Sequence, residues 1–530
     1  MMRISLNTKG LLLTVLTAVI MSMSIVSCHK KGSSSSSSSS ELLFVSDGVR
    51  LITASVVGST STEIGSAEIT GIPGTYTRSG NTVTITIPNH DLPGVNYWVE
   101  LVFAAGTGGT ATSGLYQVSA IPDVNTFEVV DAASGTITDG TVHRKPTTTR
   151  TGTYSQSGTT VTVTLTNHNI PNSSDVDLDF TSGTATDTTR TITVVDANTF
   201  TMTVSDSATT SGDVNATVGG NYAIFGIALH PTGNWVYVSS TYECSNGTPF
   251  CWGNGLISRF AVDWVTGALT FEEAFHAEVD GRGTPVDLNF SADGTLLFNQ
   301  DDSLDGILMW SVNTTNGDLT LLASDGGTSL HGVGVAADAS RVYNGSNVFT
   351  VDTITPAITN TYSDSGCNTS RIIGTTIFCA DAGSVLTYSL ADPDAPSLIT
   401  SLSTDNQEAR EVAMTMNGAR IVSSGWCGLR SYDYDGANIT PAATAGSNEY
   451  VDCGGSWLGS GTRKMFRTIS TNAAGDMIAT AYFTQVPGSR GGQAPTGYML
   501  VSLAADGALA LEQDYSNTYY SRVARFFSKP

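Results

Sequence analysis

Val286-Asp287-Leu288-Asn289-Phe290-Ser291-Ala292-Asp293-Gly294-Thr295-Leu296-Leu297-Phe298 alternates apolar and polar residues on both sides of an Asp-Gly turn. A period of two marks half-buried strands, and Asp-Gly marks the tight turn between them. The same rhythm runs through Phe225-Gly226-Ile227-Ala228-Leu229-His230-Pro231-Thr232-Gly233-Asn234-Trp235-Val236-Tyr237-Val238. A third strand and a second turn follow each copy. They read Ile257 to Asp263 with Thr266-Gly267-Ala268-Leu269-Thr270, then Ile307 to Val312 with Asn316-Gly317-Asp318-Leu319-Thr320. Degenerate copies begin near His331, Arg371, Arg410 and Arg467. Four short strands per unit of about 45 residues is the pattern of a propeller blade.

Six such units fill residues 219–530, and the last ends on a half-motif. Val523-Ala524-Arg525-Phe526-Phe527-Ser528 matches Val286 to Ser291 and reads as an innermost strand with nothing after it. The missing strands are at the other end of the chain, in Leu42 to Gly48, Val49 to Ala54 and Ala67 to Thr70. The sequence therefore predicts an all-β protein, a seven-bladed β-propeller whose seventh blade is built from both termini. Closing a ring in this way removes exposed strand edges.

Two further segments, 71–145 and 146–218, repeat one another. Gly74-Thr75-Tyr76, Asn89-His90-Asp91-Leu92-Pro93 and Asn125-Thr126-Phe127 match Gly152-Thr153-Tyr154, Asn167-His168-Asn169-Ile170-Pro171 and Asn198-Thr199-Phe200. Each unit suits a small β-sandwich-like domain, and the pattern resembles a repeat of phage and bacterial surface proteins. The two are expected as an insertion between the composite blade (41–70) and the next one, projecting as a separate arm. His90 and His168 could pair on a metal, but their matching turns favour a structural role in each repeat.

The blade motifs resemble those of the lactonase-type seven-bladed propellers, the cycloisomerase-like 6-phosphogluconolactonases. The resemblance covers about 300 residues and the N-terminal strands, and implies a site at the mouth of the central channel. The family often carries Pro-His before the second-strand turn. Pro285-Val286 stands at that place here, and His331 stands at the equivalent place one blade later. Aligned inner strands put Phe225, Val286, His331, Arg371, Arg410, Arg467 and Val523 at the mouth, with Asp287 and Glu411 as neighbours. Arginine holds a carboxylate or phosphate through paired hydrogen bonds, and a histidine or glutamate can act as a base. His331, Arg371, Arg410, Glu411 and Arg467 are thus the candidate ligand-binding or catalytic residues. The competing reading is a polar channel lining paired with its own carboxylates.

Other features set the context. Arg3 and Lys9 precede an apolar run, Gly10 to Val26, that is too short for a spanning helix and ends in Ile25-Val26-Ser27-Cys28. That tetrapeptide resembles a lipobox, which implies a signal peptide (1–28) and lipidation at Cys28. A flexible tether, 29–40, follows. His29 after the cysteine points to the outer membrane. The formal charge of −23, and the loss of Arg3 and Lys9 with the leader, disfavour nucleic acid as a partner. The other cysteines, Cys244, Cys251, Cys367, Cys379, Cys427 and Cys453, are disulfide candidates in an exported chain, with local pairing expected. No cofactor or metal is expected. Calcium on Asp301-Asp302-Ser303-Leu304-Asp305 is the one candidate, and a solvated acidic loop is the better account because the EF-hand spacing and glycine are missing. Two functions remain: a lipid-anchored binding module at the cell envelope, for a protein, a glycan or a small anion, and a lactonase-like hydrolase.

Overall fold

The computed structural model describes residues 41–529 except 48–49, 70, 89, 91, 93, 220, 244–254, 278–284, 302–305, 327–331, 346, 363–368, 382–383, 404–408, 415–419, 426–427, 443–448, 452–462, 486–492 and 518–522. For a few strand residues, among them Arg410, Glu411 and Arg467, only the backbone is described. Cys28 and His331 lie outside the described residues, as do all the other cysteines except the fully buried Cys379. The candidate calcium loop lies outside them beyond Asp301, a buried strand residue.

Seven sheets make the propeller. From the inside outward, blade 1 runs Asn221–Leu229, Trp235–Glu243, Leu256–Val262 and Leu269–His276. Blade 2 runs Pro285–Phe290, Leu296–Asp301, Gly306–Val312 and Leu319–Gly326. Blade 3 is Val333–Val335, Arg341–Asn344, Asn347–Asp352 and Ala357–Tyr362; blade 4 is Thr369–Ile373, Thr376–Asp381, Ser384–Ser389 and Ser397–Ser403. Blade 5 is Ala409–Met414, Arg420–Gly425, Gly428–Tyr434 and Ile439–Pro441, with Glu449–Val451 also on its third strand. Blade 6 is Arg463–Thr471, Met477–Gln485, Gln493–Leu503 and Leu509–Asn517. Blade 7 is composite: Ala524–Ser528 is innermost, followed by Glu41–Asp47, Arg50–Val57 and Thr60–Glu68. Leu43 opposite Phe526 and Val45 opposite Ala524 set its register.

A recurring hydrogen bond links neighbouring blades. Tyr237 of blade 1 donates to Gly317 O at 2.6 Å in the second turn of blade 2. Thr53 of blade 7 donates to Gly267 O of blade 1, and Ser431 of blade 5 to Gly507 O of blade 6. Gly267 and Gly317 have φ of +76° and +78°, a region in which a Cβ is strained, so the turn that repeats in the sequence repeats for a backbone reason.

The repeats form two sheets. In repeat 1, Ile72–Thr86 pairs with the long strand Thr126–Arg144; in repeat 2, Thr147–Thr164 pairs with Thr199–Gly219. Repeat 2 has a hydrophobic core of its own. Repeat 1 does not project freely as the sequence suggested. It shares one apolar cluster with blades 7 and 1, including Leu42, Phe44, Ile72, Ile85, Ile224 and Phe260. His143 also meets Glu273 of blade 1 at 2.9 Å, and His276 meets Pro73 O at 2.8 Å. The joint between repeats stacks Arg150 4.4 Å over the Trp98 ring, and the Trp98 indole donates to Asn167 O at 2.9 Å.

The two turn histidines match. His90 Nδ1 accepts the Leu92 amide (3.1 Å), its Nε2 meets Asp123 O (3.1 Å) and its ring stands edge-on to Phe127. His168 does the same with Ile170 (3.0 Å), Asp196 O (2.9 Å) and Phe200. Each is buried, each ring nitrogen has a protein partner, and each serves its own turn.

Candidate functional site

The inner strands of blades 1, 2, 5 and 6 are not regular. Pairing with the second strand skips one residue in each, between Ile224 and Gly226, Pro285 and Asp287, Ala409 and Glu411, and Phe466 and Thr468. The residues left out are Phe225, Val286, Arg410 and Arg467, four of the positions that alignment of the sequence put at the channel mouth. A bulge re-aims side chains and is a frequent neighbour of binding sites. Arg371 lies on the unbulged inner strand of blade 4, opposite Phe378.

Side chains meet at Asp287, just past the blade 2 bulge. Its carboxylate accepts from Arg525 of blade 7 at 3.1 Å and from Arg371 of blade 4 at 3.3 Å. The Val333 amide of blade 3 donates to it at 3.1 Å. Arg525 also donates to Ile227 O of blade 1 at 3.3 Å. One carboxylate thereby ties together the inner strands of blades 2, 3, 4 and 7, and Arg525 extends the link to blade 1. Blades 1 and 2 come close because blade 1 has glycine at the contact: a Cβ on Gly226 would lie 3.0 Å from both Asp287 Cα and Val286 O.

The electrostatics follow from this geometry. Burial pushes the Asp287 carboxyl up, and Arg525, Arg371 and the Val333 amide together hold it below the usual carboxylate range. Two guanidiniums thus share the Asp287 carboxylate. The side chain of Asp287 is 9% exposed, that of Arg525 13% and that of Arg371 24%. Arg371 is thus the most exposed member of the group, and Asp287 is too strongly paired to serve as a good base.

Of the residues singled out from sequence, the structure brings Arg371 to the channel with Asp287. It places Arg410, Glu411 and Arg467 on the inner strands of blades 5 and 6 through their backbone. Glu411, opposite Ser424, holds the register in blade 5 that Asp287, opposite Gln300, holds in blade 2. Sequence reading missed Arg525, because the alignment put Val523 at the mouth. The available signal was a charged residue in the otherwise apolar run Val523 to Phe527. Among the described residues no group of three or more His, Cys, Asp or Glu could hold a metal ion.

Residues 184–330 match the family model described as Lactonase, 7-bladed beta-propeller. Similar solved structures include one from Bacteroides fragilis provisionally named a 6-phosphogluconolactonase, with 14% identity, a TM-score of 0.44, and 67% of this chain and 98% of that one covered. A periplasmic gluconolactonase of Pseudomonas aeruginosa shares 12% identity at a TM-score of 0.44, over 67% of this chain and 99% of its own. A Lactobacillus plantarum protein aligns at 12% identity and a TM-score of 0.42 over 67% and 99%. No curated protein matches the chain.

Proposed function

We propose that this chain, whose propeller is of the lactonase type, is a lactonase-like hydrolase that takes a lactone bearing a carboxylate or phosphate at the channel mouth. The observation that carries the reading is the Arg371–Asp287–Arg525 group, with Arg371 outermost. Water adds to the lactone carbonyl, the ring C–O bond breaks, and a hydroxy acid leaves. Arg371 binds the anionic group or the developing oxyanion. Asp287 positions Arg371, and Arg525 neutralises the charge that burial would otherwise make costly. We assign the base to Glu411, whose backbone shares the register of Asp287, or to His331, and the further cationic positions to Arg410 and Arg467, as the sequence suggests.

The same reading includes export, with a lipid on Cys28, a tether over 29–40 and residence at the outer membrane. It rests on the leader and Ser-Cys-His of the sequence. Cys28→Ser is expected to abolish incorporation of labelled fatty acid. For the activity, residues 41–530 are assayed against a panel of sugar lactones by acid release. Turnover that falls at least ~100-fold in Asp287→Ala supports the reading. A wild-type protein inert on every lactone, yet retaining anions at the channel, replaces it with the binding module.

A further inference from the structure

One strand out from three of the bulges, the second strands carry buried polar side chains that the protein leaves unpaired. Ser239 stands opposite Gly226, Gln300 opposite Asp287 and Ser424 opposite Glu411, in each case the residue right after the bulge. Ser239 and Gln300 are 0% exposed and Ser424 is 1% exposed. The Ser239 and Ser424 hydroxyls, and both Nε2 and Oε1 of Gln300, have no protein hydrogen-bond partner. In blades without a bulge, the inner-strand arginine or alanine faces an apolar residue: Phe378 opposite Arg371 in blade 4 and Val45 opposite Ala524 in blade 7. Blade 6 is bulged and has Ala481 at this register, so a bulge does not itself require a polar neighbour. The polar residues in blades 1, 2 and 5 need another reason.

Leaving a buried amide or hydroxyl unpaired is costly, and native proteins pair the great majority of such groups. A bulge takes one residue out of the ladder, so backbone groups and the second-strand side chain converge on the same spot. A buried water needs two to four polar partners, and Gln300 alone offers two unpaired atoms. At the blade 1–2 contact the close approach is visible. A Cβ on Gly226 would lie 2.7 Å from Ser239 Oγ and 3.0 Å from Asp287 Cα, so the glycine lets that hydroxyl face the bulged strand of blade 2.

We propose that blades 1, 2 and 5 each hold a buried water between the second-strand side chain and the bulged inner strand, with Gln300 as the principal site. The ligand is water because Gln300 offers a neutral donor and a neutral acceptor and is sealed from solvent. These waters brace the bulges that display the mouth residues, whether or not the mouth hydrolyses a lactone.

A high-resolution crystal structure of the full wild-type chain tests this, together with thermal unfolding of Gln300→Leu and Ser239→Ala. The expected result is ordered water within hydrogen-bond distance of Gln300 Nε2 or Oε1, and a midpoint lowered by ~2 °C or more in Gln300→Leu. A dry Gln300 overturns the proposal. So does a midpoint unchanged or raised in Gln300→Leu, because an apolar side chain in place of an unsatisfied amide stabilises. Should Gln300→Leu fail to fold, the wild-type density and Ser239→Ala decide on the same terms.

Discussion

The inserted repeats and the propeller are both made by repetition, but they use their exceptions differently. In the repeats the polar side chains that recur do structural work: His90 and His168 close equivalent turns, and Tyr76 and Tyr154 donate to equivalent carbonyls at 3.0 and 3.1 Å. In the propeller the residues that recur, the turn glycines and inner-strand aliphatics, build blades, and the ones that do not recur meet in the channel. Asp287, Arg371 and Arg525 each occur once, on three different inner strands. A polar residue present in every copy answers a demand of the unit; one present in a single copy answers a demand of the assembly.

The largest effect that sharpens this contrast is expected from Asp287→Ala. It removes the carboxylate that two partly buried guanidiniums share and should cost about 3 kcal/mol in propeller stability, read by thermal or urea unfolding. A cost near that of a surface substitution would mean that the channel residues are as independent of one another as ordinary lining.

A smaller effect separates the two repeats from each other. Arg78 Nε donates to Gly80 O at 3.0 Å and pairs with the buried Asp131 at 3.3 Å, whereas Gln156 makes the corresponding bond to Gly158 O at 3.1 Å and has no charge. Burial pushes the Asp131 carboxyl up, but the Thr112 and Ala133 amides and Arg78 outweigh it and hold the group below its usual range. The sign follows from that direction. This pair stabilises repeat 1 above the unfolded carboxylate pKa of about 3.9 and loses its contribution as pH falls through the lower folded value. As the pH falls below ~4, pepsin or hydrogen exchange should open repeat 1 while repeat 2 keeps its protection. Asp131→Asn should remove the pH dependence that distinguishes them.

The smallest effect is an equality. His90→Ala and His168→Ala each remove two hydrogen bonds and an edge-on aromatic contact, and should cost the same ~2 kcal/mol within error. A metal role would instead make either substitution abolish a binding signal that zinc or nickel titration could see.

Much of the fold was legible because it rests on short-range chemistry. Asp293-Gly294 and Thr266-Gly267 mark turns by backbone preference, and the half-motif at Val523 announced a blade completed by Leu42 to Ala54. The site was legible in part. Alignment singled out Phe225, Val286, Arg410 and Arg467, and the structure shows each skipped in the pairing, although nothing in their residue types reveals a bulge, which is a property of pairing between strands. Arg525 was missed for a related reason: its partner lies 238 residues away in sequence and is reached only once the ring has closed. The attachment of repeat 1 to blade 1 was hidden in the same way, since Ile72 and Ile85 look like the core of a free module until Ile224 and Phe260 are brought against them.

The most direct test of the central claim compares kcat/KM for an anionic sugar lactone and its neutral analogue in the wild type and in Arg371→Ala. The account predicts a preference of about tenfold or more for the anionic lactone, consistent with ~1.4 kcal/mol or more from one guanidinium, and its loss in Arg371→Ala with the neutral lactone little affected. Equal rates on both lactones in the wild type, or a preference that survives in Arg371→Ala, would contradict it.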